Sequence, residues 1–189
     1  MVQNRITNVK REETIKTEGN HKMQKTMRNR IWLFILALFY ILVSCDSNRV
    51  YDEYKSVPNV WHKDSIVSFK LNPPDSLAPY DLFVNLRNTH TYRYSNIFLI
   101  VEMVFPHGKT IKDTLEYRMA DPSGKLLGEG IMDIKENKLW YKENVVFNED
   151  GEYTVNIQHA MRENGKINGV ILLEGITDIG FRIEYPISN

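Results

Sequence analysis

The chain has 189 residues, with 24 Lys/Arg against 24 Asp/Glu, 42% hydrophobic and 11% aromatic residues, and one cysteine. That length holds a single domain core, and the balanced charge with no run of basic residues excludes a protein built to track a nucleic-acid backbone. A lone cysteine excludes an internal disulfide and a Cys-based zinc site.

The first twenty or so residues are polar, carry both charges and show no apolar period; a start at Met23 or Met27 gives a leader of ordinary length. Lys22, Lys25, Arg28 and Arg30 then precede Ile31–Val43, thirteen residues without a charge. A helix crossing roughly 30 Å of hydrocarbon needs about 20 residues, so this run is too short to span and has the length of a signal-peptide core. The basic flank keeps the N-terminal side in the cytoplasm. The run ends in Leu42-Val43-Ser44-Cys45, which looks like the lipobox of bacterial lipoproteins, followed by the polar Asp46-Ser47-Asn48-Arg49. That resemblance implies a diacylglycerol on the Cys45 thiol, cleavage just before it, and acylation of the new N-terminus. Two or three acyl chains exceed the marginal hold of one, so the expected anchor is stable.

The expected organisation is therefore a removed leader and signal peptide over 1–44, a lipidated tether and lead-in over 45–64, and a folded domain over 65–189. Residues 1–44 hold eight of the basic residues and three of the acidic ones, which leaves the rest of the chain at a formal charge of −5. With Cys45 lipidated no thiol remains, and the fold must rest on its apolar and aromatic core.

Residues 46–64 carry Val50, Tyr51, Tyr54, Val57, Val60 and Trp61 around Pro58. Pro58 disfavours a helix, and the aromatic residues predict an arm that packs on the domain, since a free linker is richer in Gly and Ser. From Ser65 onward the dominant period is two. Val67, Phe69 and Leu71 alternate with Ser68 and Lys70, and Leu82, Val84 and Leu86 with Asp81, Phe83, Asn85 and Arg87. Residues 97–105 are apolar except Glu102, which predicts a strand buried on both faces. Ile111, Asp113, Leu115, Tyr117 and Met119 give the cleanest alternation in the chain. Asp121-Pro122-Ser123-Gly124 is a turn, and Gly128 and Gly130 predict a bulge or sharp bend. Strands follow over 138–147, 153–161, 170–173 and 179–185, with turns at Glu149-Asp150-Gly151 and Asn164-Gly165. Roughly seven to nine short strands with frequent turns, and no amphipathic helix after Cys45, predict an all-β antiparallel β-sandwich, with a closed barrel as the alternative.

Motifs that carry chemistry are sparse. The chain has no G-x-S-x-G elbow and no H-E-x-x-H. His62 and Asp64 would share one strand face, but zinc needs three or four convergent ligands. Asp113 and Glu116 fall on opposite faces of their strand, Glu149 and Asp150 sit in a turn, and glycoside hydrolysis needs two carboxylates at a fixed separation. Gly124, Gly128 and Gly130 lie between strands, where no helix N-terminus can meet a phosphate. The expectation is no catalytic residue, no metal and no cofactor.

Two polar stretches stand out. Arg87–Asn96 links two strong strands and is dense in Tyr, Arg and Asn, residue types common on binding loops. Arg87, Asn88, Tyr92, Tyr94 and Asn96 are the expected protein-contact residues, against the alternative of an ordered loop that packs on the sandwich end. The second stretch, Gln158-His159-Ala160-Met161-Arg162 with Asp178 and Arg182 downstream, predicts an Arg–Asp pair tying the C-terminal strands together.

The same stretches resemble the GldH family of gliding motility lipoproteins of Bacteroidota. The resemblance runs through Val50-Tyr51-Asp52, Trp61, Leu86-Arg87-Asn88, Tyr92-x-Tyr94-Ser95-Asn96, Asp113-Thr114, Ala120-Asp121, Gly124, Gly128-x-Gly130, Gly151-x-Tyr153, Gln158–Arg162 and Leu173-x-Gly175–Glu184. It implies a membrane lipoprotein needed for gliding, working with other lipoproteins of the apparatus and linked to type IX secretion, and it implies no catalytic or cofactor residue. The expectation is a non-enzymatic lipoprotein held by lipid on Cys45 and contacting other envelope lipoproteins or gliding/secretion components, with no nucleic-acid partner. It is placed at the outer membrane with its domain facing the periplasm. The alternative is a carbohydrate- or peptidoglycan-binding module whose loop aromatics stack on sugar rings, and a hydrolase is a more distant third.

Overall fold

The computed structural model describes residues 48–73, 77–130 and 132–186, together with Trp32. Cys45 and the apolar run before it lie outside the described residues, and the segment Asn48–Asn189 forms one compact unit.

Ten strands follow one another among the described residues: β1 (Arg49–Ser56), β2 (Val60–His62), β3 (Val67–Leu71), β4 (Pro79–Asn88), β5 (Asn96–Val104), β6 (Thr110–Arg118), β7 (Lys135–Val146), β8 (Tyr153–His159), β9 (Leu172–Glu174) and β10 (Ile176–Glu184). They form a first sheet in the order β1-β10-β4-β7, a second in the order β3-β8-β5-β6, and a two-stranded ribbon β2-β9. Every pairing is antiparallel. The two four-stranded sheets pack face to face as a sandwich, as the period-two pattern requires.

The inward sets are Leu82, Val84 and Leu86 on β4, Ile179, Phe181 and Ile183 on β10, Leu99, Val101 and Met103 on β5, and Val155 and Ile157 on β8, all buried. Phe181 joins the two sheets: its ring lies 6.1 Å from Phe69, 6.4 Å from Tyr51 and 6.5 Å from Tyr141. Nearer the other end Phe147 packs edge-on to Tyr153 at 5.0 Å, with Tyr80 at 5.9 Å. Each such ring contributes about 1.5–3 kcal/mol on full burial, which is how a domain without a disulfide is held.

Polar groups tie the open edges of the sandwich. Between β6 and β7, Asp113 meets Lys142 at 2.9 Å and accepts from the Tyr141 hydroxyl at 3.0 Å, while the Tyr117 hydroxyl donates to the Trp140 carbonyl at 2.6 Å. Burial pushes the Asp113 carboxyl up, but the Lys142 and Tyr141 hydrogen bonds outweigh it and leave its pKa lowered. Between β1 and β3, Lys55 donates to the Ser68 carbonyl and lies over the Phe69 ring.

Three details differ from the sequence expectation. The stretch 45–64 supplies β1 and β2, and β1 is a full edge strand paired with β10. Its inward positions are Tyr51, Glu53 and Lys55, which show no apolar alternation because an edge strand's inner face is half in water. β5 is buried on its inner face only, with Phe98, Ile100, Glu102 and Val104 half-buried outward. Arg182 meets Asp52, so it ties the C-terminal strand to β1, and Asp178 accepts from Ser56 across the same pair.

The ribbon β2-β9 closes one end. Trp61 is fully buried, donates its indole N–H to the Ser65 carbonyl at 2.8 Å, and packs edge-on to His159 at 5.2 Å. His159 Nε2 donates to the Trp61 carbonyl at 3.0 Å. Burial lowers the His159 pKa, so the ring is neutral and serves the core.

Candidate interaction surface

The loop between β4 and β5 is rigidly founded. Asn88 is buried and accepts from the Asn137 side chain at 2.8 Å. The Thr89 amide donates to the Gly175 carbonyl at 2.8 Å, and the Tyr92 amide returns to the Thr89 carbonyl at 3.1 Å. Gly175 has φ +87°, and a Cβ built there would stand 2.3 Å from the Tyr92 nitrogen. Only glycine lets the β9–β10 corner pass so close beneath the loop. Tyr92 is itself buried, donating its hydroxyl to the Asn96 carbonyl at 2.7 Å, and burial pushes its pKa well up.

Of the five residues singled out in the sequence, Asn88 and Tyr92 therefore hold the loop from within. Arg87 is half-buried, bonded to Glu136 at 2.7 Å with its guanidinium 4.0 Å over the Tyr54 ring. Asn96 donates to Glu116 at 2.7 Å. Tyr94 packs edge-on to Tyr92 at 5.8 Å and is half-buried, beside the exposed Arg93.

What this foundation presents is a groove of about 500 Å³ between the loop and residues 120–126 and 132–135, with Tyr92, Arg93 and Tyr94 on one side and Lys125, Leu126, Met132 and Lys135 among the residues on the other. His90 clasps the two sides: its amide donates to Asp133 at 3.1 Å and its ring contacts the same carboxylate. That contact lowers the Asp133 pKa. Arg93 is bonded to Glu174 at 3.0 Å. Met132 is 95% exposed and has φ +62°, a left-handed conformation uncommon outside glycine.

A second polar assembly covers the outward face of the first sheet. Register sets Asp52 beside Arg182 beside Phe83 beside Trp140, and Tyr54 beside Gly180 beside Asn85 beside Lys138. The Tyr54 ring lies across Gly180, where a Cβ would come within 2.9 Å of it. Its hydroxyl donates to Glu136 at 2.8 Å and accepts from Asn85 at 2.9 Å. Lys138 bonds both Glu184 oxygens at 2.7 Å and sits 4.0 Å over the Phe83 ring, which meets Trp140 edge-on at 4.5 Å. Burial works to raise the Glu136 pKa, and the hydrogen bonds from Arg87 and Tyr54 overcome it, leaving it lowered. Asn85 is 1% exposed on this outward face, sealed by its own neighbours.

The remaining candidates stay apart. His62 accepts from the Asp64 amide at 3.1 Å, His107 pairs with Glu149 at 3.0 Å, and Glu116 faces away from Asp113. Among the described residues no three His, Cys, Asp or Glu side chains converge as a metal site would require. Sequence reasoning missed Leu126 and Met132 on the groove. The available signal was Ile131-Met132, an apolar pair inside a stretch otherwise rich in Gly and Asp. It missed Tyr54 and Asn85 for another reason: their significance exists only across paired strands.

The fold and this surface define a β-sandwich domain that offers an open aromatic and cationic groove and ties the ionisable groups of its first sheet into a connected network. The family model described as GldH lipoprotein matches residues 49–183. The chain belongs to the GldH lipoprotein family. It is 58% identical over 159 residues to "Gliding motility lipoprotein GldH homolog" of Christiangramia forsetii, a match covering 84% of this chain and 98% of that one. It is 57% identical over 150 residues to "Gliding motility lipoprotein GldH" of Flavobacterium johnsoniae, covering 79% and 93%. Among solved structures it is similar to the infectious bursal disease virus VP2 subviral particle (12% identity, TM-score 0.37, covering 74% of this chain and 33% of that one) and to the Gx strain virus (13%, 0.38, 77% and 35%). At those scores the viral proteins carry no functional argument.

Proposed function

We propose that this protein is a non-enzymatic lipoprotein, held at the outer membrane by lipid on Cys45 with its domain facing the periplasm, that supports gliding motility and type IX secretion by contacting another envelope protein. The observation that carries the reading is the identity of 57–58% to gliding motility lipoproteins over 93–98% of their lengths. The groove between Tyr94 and Met132 is the contact face. It combines a rigid base with exposed Arg93 and Met132, the mixture of aromatic, Arg and Met side chains enriched in protein interfaces. Asn96 lines the adjoining groove, Asn88 and Tyr92 hold the loop's shape, and Arg87 is engaged on the sheet face by Glu136 and the Tyr54 ring.

The anchor and the face are tested separately. Cys45→Ala should abolish palmitate incorporation and release the protein from the membrane fraction; a labelled, membrane-bound variant would refute the lipid anchor. Arg93→Glu with Tyr94→Ala should keep the protein at the membrane and stop colony spreading. Normal spreading by that double variant would remove the groove from the proposal.

A further inference from the structure

We infer that the groove receives an extended acidic segment of the partner protein, with one aliphatic side chain of that segment lodged against Leu126 and Met132. This rests on the groove being the contact face. The inference comes from which charges are already spent. Among the charged residues lining the groove, Arg93 is engaged by Glu174 and Asp133 by His90. Asp121, nearby, is folded onto its own turn, accepting from the amides of Ser123 at 2.8 Å and Lys125 at 3.0 Å. Among the described residues neither Lys125 nor Lys135 has a carboxylate within salt-bridge distance of its ammonium group; Asp121 attracts Lys125 only from further off, so both ammonium groups stay open to a partner's carboxylates. An adjoining groove shares Ser95 and Ala120 with this one and sets Arg118 among the carboxylates of Glu116 and Asp121, so the positive surplus is confined to the two lysines. This surplus sits on a domain whose chain from Cys45 onward is net −5, so it is local. An acidic segment is drawn to it and a basic one repelled.

Shape narrows the occupant further. A concave groove of about 500 Å³ accepts side chains on an extended backbone, whereas a flat bilayer surface cannot enter it. Met132 is 95% exposed at φ +62°, so its side chain stands in solvent at the groove and contributes little to the core. A flexible, polarizable thioether at the rim is suited to close over an aliphatic side chain.

The test uses the full-length lipoprotein in spreading cells, with a photo-crosslinking amino acid in place of Met132 and the captured peptide sequenced by mass spectrometry. The expected product is a protein segment of net negative charge containing Leu, Ile or Val at the crosslinked site. Its yield should fall about tenfold when Lys125→Glu and Lys135→Glu are combined, as expected when two exposed charge pairs become repulsions. Lys125→Gln with Lys135→Gln, which removes charge without adding any, should show a smaller drop in the same direction. Capture of a neutral or basic segment, or a yield that ignores both double variants, overturns the inference while leaving the contact face in place. Capture of lipid alone, or no adduct at all, overturns both.

Discussion

The outward face of the first sheet and the groove at the β4–β5 loop are made from the same kinds of residue, yet one is closed and the other open. On the sheet face Tyr54, Asn85, Arg87 and Glu136 bond to one another, and Arg182 lies between Asp52 and Glu184. At the groove, the base is sealed by Asn88, Tyr92 and Gly175, while among the described residues Lys125 and Lys135 have no carboxylate at salt-bridge distance and Met132 is exposed. The difference teaches that Tyr, Arg and Asn density does not itself mark a binding surface. What marks one is the share of those groups whose bonding capacity is not already used within the fold.

The contrast can be broken most forcefully beneath the groove. Gly175→Ala puts a methyl group against the Tyr92 backbone in a left-handed conformation, and should cost about 3 kcal/mol, read as a fall in the urea midpoint of the micelle-bound protein. A midpoint within error of the parent would show that the loop is not pinned to the β9–β10 corner. On the sheet face, Tyr54→Phe removes the donor to Glu136 and the acceptor for Asn85, and about 2 kcal/mol is expected to be lost. The matching change on the open side, Tyr94→Phe, removes a single hydrogen bond to the surface carboxylate of Glu163 and should cost less, about 0.5–1 kcal/mol. Equal effects from the two tyrosine variants would erase the distinction between closed and open.

A pH series sharpens the same comparison with a smaller effect. Glu136 titrates below its ordinary 4.5 in the folded protein, so the unfolded chain takes up the proton first. Its contribution is present above 4.5 and is lost as pH falls through the lowered folded value. Glu136→Gln should therefore lower the urea midpoint near neutrality and flatten its fall on the acid side; a parallel fall in both proteins would place the acid sensitivity elsewhere. The smallest effect on stability belongs to Lys125→Ala and Lys135→Ala, each within about 0.5 kcal/mol, while colony spreading should be impaired. If either lysine proves to matter as much for the fold as Tyr54, the groove is a closed structure after all.

Much of the sandwich was legible along the chain. The alternations in Val67–Leu71, Leu82–Leu86, Ile111–Tyr117 and Tyr153–His159 located strands whose inward sets the structure confirms. β1 was not legible, because the inner face of this edge strand is half in water and carries Tyr51, Glu53 and Lys55 instead of an apolar alternation. The contact loop was legible as a stretch but not as individual roles. Arg87-Asn88 and Tyr92-x-Tyr94 read alike in sequence, and only packing separates the buried Asn88 and Tyr92 from the half-exposed Arg87 and Tyr94.

The order of residues alone determined that the chain after Cys45 would fold as paired strands around an aromatic core, because side-chain alternation is a local property with a fixed period. It also determined the family, through motifs spread along most of that length. Only the tertiary structure decided which polar groups are satisfied and which remain available. That depends on the register between strands far apart in the chain, as when Tyr54 on β1 reaches Asn85 on β4 and Glu136 on β7 across the gap left by Gly180. Such pairings have no signature in local spacing, since each partner is chosen by the fold that brings it near.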